Sequence, residues 1–203
     1  MASIYDLKPA FQNLLRPTVR WLAARGVTAN QVTVAAFVLS SAAGAAVALS
    51  TERKEILLLL PAVLLVRMAL NAVDGMLARE HGQESRLGAV LNELGDVLSD
   101  AVLYLPLCFV AGVSGWLVVS VVVLAGTTEF AGVLTKLAGG SRRYDGPMGK
   151  SDRAVVFGLT GLLGGLGVPL APWIDPLLGL VCVLLVVTVV NRVRRGLAEA
   201  LAG

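Results

Sequence analysis

Apolar segments long enough to cross a bilayer recur along this sequence, and only short polar connections separate them. A membrane-spanning helix needs about 20 predominantly apolar residues. Segments of roughly that length lie at 31–50, 56–79, 87–112, 115–137, 152–169 and 174–192. The composition agrees, because 56% of the residues are hydrophobic and 15% are charged, against about 25% charged in a soluble domain. We therefore predict an all-α integral membrane protein with six transmembrane helices.

The six predicted helices leave no room for a separate soluble domain, so residues 1–203 are predicted to form a single membrane domain with its six-helix bundle at 31–192. Residues 1–28 have no uninterrupted apolar core, which argues against a cleavable signal peptide. Apolar and basic side chains alternate there instead. This pattern predicts an amphipathic juxtamembrane helix that lies on an anionic membrane surface.

Basic residues are distributed unequally between the two sides of the predicted bundle. One side has only Arg53 and Lys54. The other side has fourteen: Lys8, Arg16, Arg20, Arg25, Arg79, Arg86, Lys136, Arg142, Arg143, Lys150, Arg153, Arg192, Arg194 and Arg195. By the positive-inside rule, both termini and the second connection face the cytoplasm, in the cytoplasmic (inner) membrane if the protein is bacterial. The net charge of +3 is thus explained by orientation, and no nucleic-acid partner is expected.

Polar side chains interrupt the second and third apolar segments, from Asn71 to Asp100. Ionisable groups at membrane depth are costly and persist mainly where they face a bundle interior or a wet cavity. The intervals between them are three or four residues, which places each set on one face of a helix. The first set is Arg67, Asn71, Asp74 and Ala78, and the second is Gly88, Asn92, Asp96 and Asp100. Two facing stripes of oxygen ligands suit Mg²⁺ or Mn²⁺, and the small residues leave space for a bulky ligand.

The spacing in this region resembles the signature of the CDP-alcohol phosphotransferase (CDP-alcohol phosphatidyltransferase) family, D-x2-D-G-x2-A-R-x8-G-x3-D-x3-D. The corresponding residues are Asn71, Asp74, Gly75, Ala78, Arg79, Gly88, Asn92 and Asp96, and six of the eight match. A pattern this long, placed across two predicted membrane helices, is highly specific. The segment from Gly26 to Thr33 is also similar to the family's approach to its first span.

The resemblance implies a phospholipid-synthesising transferase that moves a substituted phosphate from a CDP-linked lipid, such as CDP-diacylglycerol, to a small alcohol and releases CMP. It also implies a homodimer. Asp96 would be the catalytic general base. The metal ligands would be Asn71, Asp74, Asn92 and Asp96, and the residues around the CDP moiety would be Asn30, Thr33, Gly75, Ala78, Arg79 and Gly88.

Two departures from the signature bear on metal binding, because Asn71 and Asn92 stand where it has aspartate. A carboxamide oxygen attracts a cation less strongly than a carboxylate does. We expect weaker metal binding, one ion instead of two, or help from Glu93 or Asp100. Arg67 lies on the same face and would lower the negative potential further. The alternative function is a non-catalytic CDP-lipid-binding or assembly member of the same fold.

The fourth connection contributes Arg142, Lys150 and Arg153 beside the start of the fifth segment. These residues either mark topology or recognise phosphate on an acceptor or a lipid headgroup, since arginine supplies paired donors. The second role favours a phosphorylated acceptor, such as glycerol 3-phosphate or an inositol phosphate, over a neutral alcohol. Asn30 and Thr33 are also candidates for capping the first span.

Overall fold

The computed structural model describes residues 4–50 and 52–202, and these ranges contain helices and connections but no strand. Residues 1–3 of the predicted segment 1–28, and the last residue of the predicted domain, lie outside the described residues. The helices are α1 (Ile4–Ala24), α2 (Ala29–Leu49), α3 (Leu59–Glu80), α4 (Arg86–Tyr104), α5 (Gly115–Leu137), α6 (Lys150–Gly165) and α7 (Ile174–Ala202). Short 3-10 helices, Lys54–Leu58 and Leu105–Phe109, precede α3 and follow α4. The all-α prediction is confirmed.

The start of α2 differs from the prediction. The N-cap is Thr28, whose hydroxyl accepts from the amide of Gln31, while the Gln31 side chain accepts from the amide of Thr28. This reciprocal pair satisfies two backbone donors that the helix itself cannot. The predicted caps Asn30 and Thr33 are wrong, because both residues lie inside the helix, after the N-cap.

Two predicted spans are shorter in the structure. The α-helical part of the segment 87–112 ends at Tyr104, just before Pro106. Proline has no amide hydrogen to donate and its ring clashes with the preceding turn, which explains the change to 3-10 geometry. The helix predicted at 152–169 has only 16 residues, Lys150–Gly165.

Four helical segments of the described chain are long and apolar enough to cross a membrane: Ala29–Leu49, Lys54–Glu80, Gly115–Leu137 and Ile174–Leu201. The protein is therefore an integral membrane protein. Helix α4 is too rich in charged residues to be counted with them. Helix α6 is too short, because 16 residues span about 24 Å against a hydrocarbon core of about 30 Å. The six-span arrangement remains a prediction.

Helix α2 packs against both α3 and α4, and close backbone approach makes this possible. A Cβ atom on Gly44 would lie 2.0 Å from the carbonyl oxygen of Val102, so only glycine fits there. Further contacts join α5 to α7, α3 to α6, α1 to α3 and α4 to α5. The outcome is a bundle in which the end of α3 and the beginning of α4 flank a cavity beside the start of α2.

Candidate active site

The larger cavity, of about 640 Å³, lies where α2 begins, α3 ends and α4 begins. All six residues that the resemblance assigned to the CDP moiety line it, together with three of the four assigned to metal. They are Asn30, Thr33, Gly75, Ala78, Arg79 and Gly88, and Asn71, Asp74 and Asn92. Asp96 is not in the lining and lies about one helical turn after Asn92. The structure thus gathers residues from three helices around one space large enough for a nucleotide.

Position 88, in the wall of this cavity, has no room for a side chain. A Cβ atom there would lie 2.8 Å from Oδ1 of Asn30 and 3.0 Å from the hydroxyl of Ser85. Ser85 cannot move away without loss of a cap, because its hydroxyl accepts a hydrogen bond from the amide of Gly88, 2.9 Å away, at the start of α4. The absence of a side chain at Gly88 therefore lets α4 begin close against α2.

Gln83 is a part of the site that the sequence did not reveal. Its side-chain oxygen accepts from the amide of Ala29 at 2.7 Å, and its side-chain nitrogen donates to the carbonyl of Val27 at 3.3 Å. These bonds tie the connection between α3 and α4 to the start of α2, and Gln83 also lines the larger cavity. The signature leaves this position unspecified, so spacing carried no signal for it.

Asp74 is buried on α3, with 4% of its surface exposed. The hydroxyl of Thr33 donates to Oδ2 of Asp74 at 2.8 Å and also to the carbonyl of Ala29 at 3.1 Å. A hydrogen bond from α2 therefore orients this carboxylate at the wall of the larger cavity.

Asp96, on α4, contacts side chains of both α3 and α6. Its Oδ1 atom accepts a hydrogen bond from the side-chain nitrogen of Asn71 at 3.2 Å, and the ammonium of Lys150 forms an ion pair with the same oxygen. Its backbone carbonyl accepts from Arg67 at 3.4 Å. The candidate base is thus half-buried and held by a neutral donor and a cation.

Beneath Asp96, buried charges form a continuous network. Arg67 pairs with Asp100 at 2.7 Å, and Arg153 pairs with Asp100 at 3.0 Å and with Glu129 at 3.1 Å. Arg192 joins Glu129 at 3.2 Å. Each carboxylate is shared by arginines from other helices, which is how buried charges are normally tolerated. The positive charge of Arg67, expected to make the potential at Asn71 and Asp74 less negative, is offset by Asp100.

The predicted phosphate-binding arginines are engaged by carboxylates. Arg153 is 1% exposed within the network, and Arg142 pairs with Glu93 at 2.5 Å and with Glu129 at 3.4 Å. Glu93 and Asp100, the two carboxylates suggested as additional metal ligands, are therefore held by arginines. Of the three predicted cations, Lys150 is the most accessible, with 31% of its side chain exposed.

A smaller cavity of about 160 Å³ lies beside Asp96, on its α6 side. Asn71 lines both cavities, and Lys150 and Ser151 line the smaller one from α6. The other lining residues are Leu64, Arg67, Met68, Asp100 and Ala154. Asp96 lines neither cavity, but its carboxylate contacts Asn71, which lines both, and Lys150, which lines the smaller one.

The connection between α5 and α6 is held by its own ion pairs. Arg143 pairs with Asp145 at 2.7 Å and with Glu199 at 3.1 Å. Hydrogen bonding from Arg143 lowers the pKa of Asp145 to about 2. The lowered pKa of Asp145 stabilises the folded state at any pH above the ordinary aspartate pKa of about 3.9. This stabilisation is lost as the pH falls from that value through about 2.

The donor set at the larger cavity is suited to a hard divalent cation but has few charges. Within residues 4–50 and 52–202, no three Asp, Glu, His or Cys side chains group as a metal site. Asp74 lines the cavity beside Asn71 and Asn92, and Asp96 contacts Asn71. Carboxylate and carboxamide oxygens are ligands that Mg²⁺ and Mn²⁺ accept. The residues therefore fit such an ion, with carbonyl oxygens in place of two carboxylates.

The class of protein follows from this fold and the spacing of these residues. The model of the CDP-alcohol phosphatidyltransferase family matches residues 26–190, and the chain belongs to that family. It is 47% identical over 192 residues to the Inner membrane protein YnbA of Escherichia coli (strain K12), an alignment that covers 95% of each protein. The family resemblance inferred from the sequence is confirmed.

Solved structures with the same fold include the Mycobacterium tuberculosis phosphatidylinositol phosphate synthase PgsA1. Its complex with manganese and citrate has a TM-score of 0.73 and 24% identity, covering 89% of this chain and 87% of that one. Its structure with CDP-DAG bound gives the same TM-score and identity, with coverage of 89% and 92%. At this level of identity the likeness concerns the fold.

Proposed function

We propose that the protein transfers a phosphatidyl group from a CDP-linked lipid, CDP-diacylglycerol, to an alcohol and releases CMP. The observation that carries this proposal is the cavity of about 640 Å³ in which the residues assigned to CDP surround Asp74. Family membership supports it, as does the shared fold with PgsA1, whose structure holds CDP-DAG. The CDP group would lie in the larger cavity, with the acyl chains in the bilayer.

Asp74, with the oxygens of Asn71 and Asn92, would hold a divalent cation, Mg²⁺ or Mn²⁺. Such an ion would neutralise the diphosphate and stabilise charge that develops on the departing CMP. The manganese in the PgsA1 structure supports this assignment. Thr33 would orient Asp74 by the hydrogen bond at 2.8 Å.

Asp96 would act as the general base. The acceptor hydroxyl attacks the phosphorus attached to the lipid, the bond between that phosphorus and the CMP oxygen breaks, and the hydroxyl proton passes to Asp96. The smaller cavity would hold the acceptor, because Asn71 lines both cavities and its side chain bonds this carboxylate. Arg142, Arg153 and Lys150 are all paired with carboxylates, and Lys150, the most exposed of the three, is the cation that would carry the preference for a phosphorylated acceptor.

Transfer is tested directly with purified protein, radiolabelled CDP-diacylglycerol and Mg²⁺ or Mn²⁺. The acceptors should include neutral alcohols as well as glycerol 3-phosphate and inositol phosphates. We expect CMP release and a new lipid with at least one acceptor, both abolished by EDTA. A folded protein that releases no CMP under any of these conditions contradicts the proposal.

The second candidate function is that of a non-catalytic CDP-lipid-binding or assembly member. The observation in its favour is the reduced charge of the donor set, with Asn71 and Asn92 in place of aspartates. In the same experiments this protein would bind CDP-diacylglycerol without releasing CMP.

Filling the smaller cavity tests its role in acceptor binding. Ser151 is exposed and lines this cavity, so Ser151→Phe should raise the KM for the acceptor by about tenfold, equivalent to about 1.4 kcal/mol of lost binding. The KM for CDP-diacylglycerol should not change. Thr127→Phe, which adds similar bulk at an exposed position of α5, is the control. An unchanged acceptor KM in Ser151→Phe would place the acceptor elsewhere.

The orientation and assembly are also proposed. The basic residues of the connections favour six spans, with both termini and the site facing the cytoplasm. The relative from E. coli, named an inner membrane protein, supports the cytoplasmic membrane as the location. The homodimer is carried over from the family resemblance.

A further inference from the structure

Lys150 occupies the side of Asp96 where a cation would bind. We propose that its ammonium replaces a second divalent cation, so that the protein binds one divalent ion, at Asp74. This inference deepens the proposed function and rests on it. The observations behind it are the contacts of Asp96, the charge of the donor set and the pairing of Glu93 and Asp100 with arginines.

The contacts of Asp96 leave one of its oxygens unsuited to a metal. Oδ1 receives the ammonium of Lys150 and, at 3.2 Å, the side-chain nitrogen of Asn71. Both groups are hydrogen-bond donors, and a metal ion at the same oxygen would have to displace them. Asp74, in contrast, accepts from the hydroxyl of Thr33 at Oδ2 and faces the larger cavity.

The position of Lys150 is fixed by its helix. It begins α6, whose first turn is closed by the bond from the amide of Gly149 to the carboxylate of Asp152, at 2.8 Å. Three residues on, Arg153 is anchored to Asp100 at 3.0 Å and to Glu129 at 3.1 Å. The buried network therefore holds the start of α6 against α4, and keeps the ammonium next to Asp96.

The charges are consistent with a single ion. The signature has four carboxylates at these positions, which balance two divalent cations. This chain has two carboxylates, Asp74 and Asp96, and Lys150 cancels one of them. One divalent ion would leave the site with one positive charge, which suits a diphosphate. Two ions would leave three positive charges in a confined space.

The two carboxylates considered as additional metal ligands, Glu93 and Asp100, are already paired with arginines. Glu93 is paired with Arg142 at 2.5 Å, and Asp100 is shared by Arg67 at 2.7 Å and Arg153 at 3.0 Å. Recruiting Asp100 to a metal would take from Arg67 its carboxylate partner. Recruiting Glu93 would leave Arg142 only the longer contact with Glu129, at 3.4 Å. The ammonium of Lys150 is thus the cation that neutralises Asp96 in this structure.

The test is a titration of the purified full-length protein with Mn²⁺, followed by electron paramagnetic resonance in the presence of CDP. We expect the wild-type protein to bind one Mn²⁺ per chain. The discriminating comparison uses the Asn71→Asp, Asn92→Asp background, to which either Lys150→Met or Lys136→Met is added. Lys136 is an exposed lysine in the last turn of α5 and serves as the matched control.

In that background, Lys150→Met should create a second Mn²⁺ site at least tenfold tighter than any second site in the Lys136→Met protein. Equal second-site affinities would overturn the inference, and so would a wild-type protein that binds two ions or none. A wild-type protein with two ions or none overturns the inference even if a variant fails to fold, and the comparison of the two variants assigns the missing second site to Lys150. Because no acceptor is present and no turnover is measured, the result is independent of whether the protein transfers phosphate.

Discussion

Asp96→Asn is expected to lower the rate of CMP release by about 10²- to 10⁴-fold, the usual contribution of a positioned general base. The carboxamide has almost the same shape but cannot take a proton from the acceptor hydroxyl. Most of the loss should therefore appear in kcat, measured from initial rates at saturating donor and acceptor, and the KM for CDP-diacylglycerol should change little.

Glu52→Gln makes the same carboxylate-to-carboxamide change at an exposed position in the connection between α2 and α3, and it should leave the rate as in the wild type. A thermal melt of both variants separates loss of catalysis from loss of folding, since Asp96 is also the partner of Lys150. If folded Asp96→Asn protein retains the wild-type rate, another group accepts the proton.

The second large effect concerns stability. Arg153→Met should reduce the free energy of unfolding by about 3 kcal/mol, the lower end of the range for breaking a buried ion pair. The side chain of Arg153 is 2% exposed and contacts both Asp100 and Glu129. The loss stays near that lower end because Arg67 and Arg192 remain beside these carboxylates. Chemical denaturation in detergent, followed by helical circular dichroism, measures the change.

Arg195→Met is the matched control, because Arg195 pairs with Asp145 at 2.6 Å but its side chain is 64% exposed. Solvent screens such a pair, so its removal should cost at most about 1 kcal/mol. Equal losses in the two variants would mean that the buried network contributes no more to stability than a surface ion pair.

The sequence was sufficient for features that depend on neighbours along one helix. Apolar segments predicted the helices, and α5 has the bounds 115–137 that were expected. Intervals of three and four residues placed Asn71 and Asp74 on one face of α3, and Gly88 and Asn92 on one face of α4. Both pairs line the larger cavity. Helical periodicity is local, so it can be read from spacing alone.

The partners of the charged side chains could not be predicted in this way. Arg67 was expected to weaken the site, yet Asp100 offsets it at 2.7 Å. Arg142 and Arg153 were candidates either for marking topology or for binding phosphate, and spacing gave no sign that carboxylates of α4 and α5 pair with them. Spacing also gave no reason to choose Gln83, which joins the connection between α3 and α4 to the start of α2 by a hydrogen bond.

The sequence by itself thus determined the membrane class, the family and nine of the residues that line the larger cavity, because each follows from composition or from a short, regular interval. Only the tertiary structure decided which charges meet. Lys150 and Asp96 are 54 residues apart, and Arg153 and Asp100 are 53 apart. Their pairing depends on how α6 packs against the other helices, and that packing arises from buried contacts spread over the whole bundle.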